Sequence, residues 1–354
     1  MRAVARLQQW GHSMAVWLVR AGRNGERQDF ALDNNVSVIG WDAVPDVRTL
    51  STKEELRTLI ENQHPNANPR KISASTGQVW NFVHKLKIGD YVALPLKGQS
   101  AVAFGKCSGE YEYLESNPAG AKHFRPVNWI RQDIPRDDFP QDILNSLGSL
   151  LTVSQVRAGN AEQRMLAIAE GKPQPPINKL PPDKPDDDEP PTKLNLEAVA
   201  SDEIREYLNQ NFAGHALADL VNAILVTQGY QTQVSPPGPD GGVDIIAGRG
   251  PLGFDPPRLV VQVKATKGQQ DVKVLRELKG VMSDYRADQG LFVSWGGFTR
   301  DAVREAKKAY FEIRLWDSGD LVAAILRHYD QFGETLRADL PLKRVWTLVQ
   351  EEAD

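Results

Sequence analysis

Between Gly171 and Asn195 the chain reads GKPQPPINKLPPDKPDDDEPPTKLN, and this stretch limits the possible folds more than any other. Its eight prolines cannot sustain a helix or a sheet ladder, and the run Asp186, Asp187, Asp188, Glu189 has nothing to bury. Proline-rich, charged sequence of this kind is an extended spacer. It divides 354 residues into two segments, each long enough for a domain with its own apolar core. The expected layout is an N-terminal extension over residues 1–13 and a first domain over 14–170. A linker over 171–195, a second domain over 196–330 and a C-terminal extension over 331–354 follow.

Charge and cysteine content narrow the classes. The chain carries 42 Lys plus Arg against 46 Asp plus Glu, a net charge of −4, so any nucleic-acid surface must be local. Residues 1–170 hold 20 basic and 18 acidic groups; residues 197–354 hold 18 and 23. A lone cysteine, Cys107, excludes an intramolecular disulfide framework and a cysteine-based zinc site, and a cytoplasmic home is expected. No stretch approaches the roughly 18 apolar residues of a membrane span, so no membrane partner is expected.

In the first domain, Ala15 to Ala21, Val36 to Trp41, Tyr91 to Leu96, Ala101 to Lys106 and Phe124 to Ile134 read as strands, with a hairpin at Lys97-Gly98-Gln99. Helices are expected over Thr52 to Asn62, Ser75 to Leu86, Asp137 to Leu151 and Asn160 to Glu170. The sum is a curved β-sheet or partial barrel with flanking helices. The second domain reads helix, helix, three short strands, helix, strand, helix, strand, which predicts an α/β sandwich around a mixed sheet.

The chemistry-bearing residues lie in Ser235 to Thr266. A turn, Pro236-Pro237-Gly238-Pro239-Asp240-Gly241-Gly242, delivers Asp244 onto a strand whose neighbours Val243, Ile245 and Ile246 are apolar. A carboxylate there is costly unless compensated. In the next strand alternation puts Gln262 and Lys264 on one face and Val261, Val263 and Ala265 on the other. If the strands are adjacent, Asp244 with the Gln262 amide or the Val263 backbone carbonyl offers hard oxygen ligands to Mg²⁺, beside the Lys264 ammonium. An edge strand with a solvated polar face and a turn-capping Asp fits the same alternation. The Gly-rich run Gly248 to Gly253 is followed by Phe254-Asp255-Pro256-Pro257, which forbids the helix a dinucleotide site requires.

Asp244, a spacer and Gln262-Val263-Lys264 resemble the core of the PD-(D/E)XK nuclease superfamily, in the Gln variant of Mrr-type restriction endonucleases. LVNAILVTQGY, GPDGGVDII, VQVKAT, GLFVSWGGFTRDAVREA and IRLWDSGDLV follow that family's order over about residues 203–328. The resemblance implies a restriction-endonuclease-like α/β/α fold, metal ligands at Asp244, Gln262 and Val263, and a catalytic Lys264. It also implies Mg²⁺, or Mn²⁺, as cofactor. Where many members carry a Glu in the first helix this chain has Ala218, leaving Asp219 or Asp240 as the possible additional acid. Arg300 and Arg304 at a helix start, and Lys267, are candidate DNA-phosphate contacts.

VWLVRAG, IGWD, QVWNFVHKL, GDYVALPL and AFGKCSGEYEY resemble, more loosely, PUA-like modules of the EVE type over about residues 14–135. That resemblance implies a nucleic-acid reader whose base pocket is formed by Trp41, Asp42, Trp17 and Trp80. Together they imply a modification-dependent DNA endonuclease acting on modified double-stranded DNA, with a homodimer or higher oligomer supplying two cuts. Rival readings are a catalytically silent DNA-binding protein, a nucleotide-activated defence nuclease and a DNA-repair nuclease.

Overall fold

A computed structural model describes residues 14–177, 195–236 and 242–348. The first unit contains β1 (Val16–Val19), α1 (Gln28–Asp33), β2 (Val36–Ile39), α2 (Lys53–Gln63), α3 (Pro69–Trp80), β3 (Tyr91–Pro95) and β4 (Ala101–Cys107). It continues through β5 (Glu112–Tyr113), β6 (His123–Pro135), α4 (Gln141–Leu147), β7 (Val153–Gln155) and α5 (Ala161–Ala169). Its strands form a curled half-barrel in the order β2-β6-β4-β3-β1-β7, with β5 on β6. The thirteen-residue β6 pairs with β2 and β5 at one end and β4 at the other, with register shifts along β4. One long strand thereby joins both ends of the unit.

Local signals explain most of these elements. Thr52 and Glu55 form a reciprocal capping box on α2. The predicted helix from Ser75 begins earlier, at Pro69, because Asn68 caps it and proline suits the first helical position. Its far end widens into a π-turn, Asn81–Lys85. The buried Arg125 donates to the carbonyls of Phe82 (2.7 Å) and Val83 (2.6 Å) there. The helix expected over Asp137 to Leu151 shrinks to α4, since Pro140 disfavours helical backbone before it. Val153–Gln155 instead pairs with β1.

The second unit contains α6 (Leu196–Asn211), α7 (His215–Thr227), β8 (Gln231–Val234), β9 (Ile245–Arg249), β10 (Asp255–Lys264) and α8 (Lys273–Asp284). It ends with β11 (Gln289–Ser294), α9 (Arg300–Lys308), β12 (Ile313–Trp316), α10 (Ser318–His328) and α11 (Glu334–Asp339). The sheet order is β12-β11-β10-β9-β8, antiparallel from β8 to β10 and parallel from β10 to β12. One face packs on residues of α6, α7 and α10, the other on α8 and α9. This is the mixed three-layer sandwich the element order predicts. Phe332 and Leu340 bury in the first of these cores, so packing runs past residue 330, where the sequence suggested an extension.

Polar contacts join the units. Asp202 accepts a bidentate pair from Arg136 (2.7 and 2.8 Å) and also holds Arg205, which reaches Asp137 at 3.0 Å. Ser100 donates its backbone N–H to Asp317 (2.5 Å), the cap of α10. Among the described residues no helix is long and apolar enough to cross a membrane.

Candidate active site

β10 is the central strand of the second sheet, and its pleat separates the two kinds of residue it carries. Val261 packs into the core on the α7 side, while Val260 packs into the core on the α8 side. Gln262 shares that second face and is 7% exposed. Lys264 ends the strand and is exposed.

Asp244 directly precedes β9. Its backbone N–H donates to the Val261 carbonyl (2.9 Å), and its own carbonyl accepts from Ser235 N–H (2.8 Å). Its Oδ2 accepts from Val263 N–H at 2.7 Å, which compensates the half-buried carboxylate. Gln262 Nε2 donates to the Gly242 carbonyl. Gly242 has φ +86°, a conformation that favours glycine, and a Cβ there would press on that same Nε2 at 3.0 Å.

This leaves Gln262 Oε1 buried and, among the described residues, without a hydrogen-bond partner. A buried amide acceptor left unpaired is costly, and a cation would satisfy it. With the Asp244 carboxylate it forms a hard-oxygen donor set. Among the described residues no group of three His, Cys, Asp or Glu side chains is placed to hold a metal; two hard-oxygen donors suit a cation that keeps several waters. Asp219 is 62% exposed on α7 and faces His215 (3.9 Å), while Ala218 is in the core. α7 thus offers no carboxylate to this end of the sheet. Asp240 lies outside the described residues.

Sequence reasoning overlooked Ser294. It pairs with Lys264 across β10 and β11, and its Oγ is buried without a partner. The sole signal was a hydroxyl at the end of an otherwise apolar strand. A cavity of about 300 Å³ opens not over these residues but at the junction of the units, lined by Ser100, Gln269, Phe298 and Asp317. A duplex backbone needs an open edge rather than a cavity, and the exposed Lys264 stands at one.

Two of the three predicted phosphate contacts, Arg300 and Arg304, pair with residues of the first unit. Arg300 donates to Asp33 (2.7 Å) and Gln132 (2.9 Å), and Arg304 to Asp33 (3.1 Å). Lys267 is exposed. In the first unit Trp17 is 4% exposed and donates Nε1 to Asp90 (3.0 Å), which makes it a core residue rather than a pocket wall. Trp41 has φ +63°, is half-buried, and its Nε1 is buried without a partner. The adjacent Asp42 accepts from Gly120 N–H at 2.7 Å. Trp80 packs on His84 with ring centroids 4.0 Å apart.

Residues 209–325 match the catalytic-domain model of the Mrr restriction endonucleases, and residues 17–154 match a domain of unknown function. No curated protein matches the chain. Among solved structures, the DNA modification-dependent restriction endonuclease AspBHI is similar at 15% identity, over 78% of this chain and 74% of that one, with a TM-score of 0.31. The MspJI restriction endonuclease, solved with a 27-mer oligonucleotide, is 14% identical over 92% and 79%, with a TM-score of 0.31. Residues 209–325, which carry Asp244, Gln262 and Lys264, form a restriction endonuclease domain of the Mrr type.

Proposed function

We propose that the chain is a Mg²⁺-dependent DNA endonuclease of the modification-dependent restriction type, whose second unit cuts and whose first unit reads a modified base. The reading is supported by Asp244 accepting from the Val263 N–H, between Gln262 and Lys264 on β10, inside the restriction endonuclease match. Asp244 and Gln262 Oε1 would hold the ion, with the Val263 carbonyl as a further oxygen. Bound Mg²⁺, or Mn²⁺ in its place, supplies Lewis-acid activation of the phosphodiester and its attacking water. The Val263 amide keeps the Asp244 carboxylate aimed. Lys264 orients the attacking water and neutralises negative charge gathering on the phosphoryl oxygens.

The first unit, read as PUA-like, would take an extruded base. The unpartnered Trp41 indole N–H, with Asp42 fixed beside it and Trp80 as a further aromatic wall, suits a planar heterocycle. Trp17 is part of the support beneath. Two cuts of a duplex need two catalytic edges, so a homodimer or higher oligomer forms on DNA. A catalytically silent DNA-binding protein is the second reading, favoured by the outward-facing Asp219.

The test is cleavage of plasmids with and without methylated or hydroxymethylated cytosine, in Mg²⁺ or Mn²⁺. Asp244→Ala and Lys264→Ala are expected to abolish cutting while keeping the wild-type unfolding temperature. Undiminished cutting by either variant overturns the assignment; a wild-type chain inert with both metals supports the silent reading.

A further inference from the structure

β10 and β11 run parallel, so both end at the edge where Lys264 stands. The chain leaving β11 stays there: Trp295 N–H donates to the Lys264 carbonyl (2.8 Å) and Gly296 N–H to the Thr266 carbonyl (3.1 Å). It then enters α9 at Arg300. Arg300, Arg304 and Lys307 recur at turn spacing, which puts three cations on one helix face beside the catalytic edge.

That face is covered by acid from the first unit. Asp33 lies 2.7 Å from Arg300 and 3.1 Å from Arg304. Asp29, one turn earlier on α1, lies 4.0 Å from Arg300 and 3.6 Å from Lys307. Two carboxylates one turn apart thus sit where backbone phosphates would. The contact is wet around Asp29 (62% exposed), Asp33 (52%), Arg304 (56%) and Lys307 (66%), whereas Arg300, also held by Gln132, is 18% exposed. The Arg136–Asp202–Arg205 contact between the same units is buried, with Asp202 only 2% exposed. The junction therefore combines a dry anchor with a solvated, salt-labile contact that can open while the anchor holds.

We propose that Arg300, Arg304 and Lys307 form a DNA-backbone surface flanking the catalytic edge, which α1 masks in the DNA-free protein. Duplex and α1 compete for the same cations. The inference rests on the nuclease reading for what the edge does, and its test reads binding rather than cutting.

The experiment uses the full chain with EDTA and a labelled, unmodified duplex followed by fluorescence anisotropy. Asp29→Asn with Asp33→Asn is expected to tighten binding about tenfold at low salt, with the gain shrinking as salt rises. Arg304→Ala with Lys307→Ala, both at exposed positions, is expected to weaken binding far more in the Asp29→Asn, Asp33→Asn background than in the wild type. Equal or weaker binding by the Asn variant, or equal losses in both backgrounds, overturns the proposal. Failure of the plasmid-cleavage test leaves this cycle standing on its own readout.

Discussion

Asp202→Asn perturbs the junction at its most buried charge. Asp202 is 2% exposed and holds both Arg136, 13% exposed, and Arg205, 5% exposed. Burial pushes the Arg136 guanidinium down to about 10, which marks how far the cluster is taken out of water. Asparagine keeps the shape but removes the charge, leaving two guanidiniums with Asp137 as the remaining carboxylate of the cluster. Removing one partner from a buried ionic cluster costs about 3–5 kcal/mol, against a total stability of about 5–15 kcal/mol. The loss falls on docking rather than on either core, so the first calorimetric transition should drop by about 10 °C or separate into two. The hydrodynamic radius should grow as the units part. A single transition within about 1 °C of wild type would refute the view that this cluster anchors the units. Asp33→Asn, at a half-exposed pair, should cost about 0–1 kcal/mol in the same assay.

Two further outcomes follow from local geometry. Gly242→Ala places a Cβ at φ +86° and 3.0 Å from Gln262 Nε2, so it should cost about 1–3 kcal/mol in denaturant unfolding and lower cleavage by displacing the amide; an unchanged midpoint and rate would count against that cradle. Burial first, and then the neighbouring Asp317, raise Asp320 to about 7. A raised carboxyl contributes its full stability at low pH, below its unfolded value, and loses it as pH rises through the folded value. Stability should therefore fall by on the order of 4 kcal/mol as pH rises from about 4 to about 7, levelling off above that, and Asp320→Asn should flatten the profile.

Much of this molecule is written in short-range signals. The Thr52–Glu55 box, the turn at Lys97-Gly98-Gln99 and the glycine ending α7 at Gly229 act within one or two turns of chain, so they are readable without a fold. The same holds for Gln262 and Lys264 on β10, because alternation separates them from Val261 and Val263, while the pairing of β9 with β10 sets Asp244 beside Val263. Asn68-Pro69 and Pro140 were legible too, and misreading them misplaced the ends of α3 and α4.

What sequence alone determined, then, was the mixed α/β class, the order of sheet and helices in the second unit, and which polar residues alternate along β10. The tertiary structure decided who partners whom. Arg300, read from the sequence as a phosphate contact, meets Asp33, 267 positions away; Trp17, read as a pocket wall, gives its indole N–H to Asp90. The orphaned oxygen of Gln262 exists because the Gly242 carbonyl engages the other end of the amide. Caps and pleats are set by neighbours along the chain, whereas ion pairs and burial are set by which surfaces meet, and only packing brings those surfaces together.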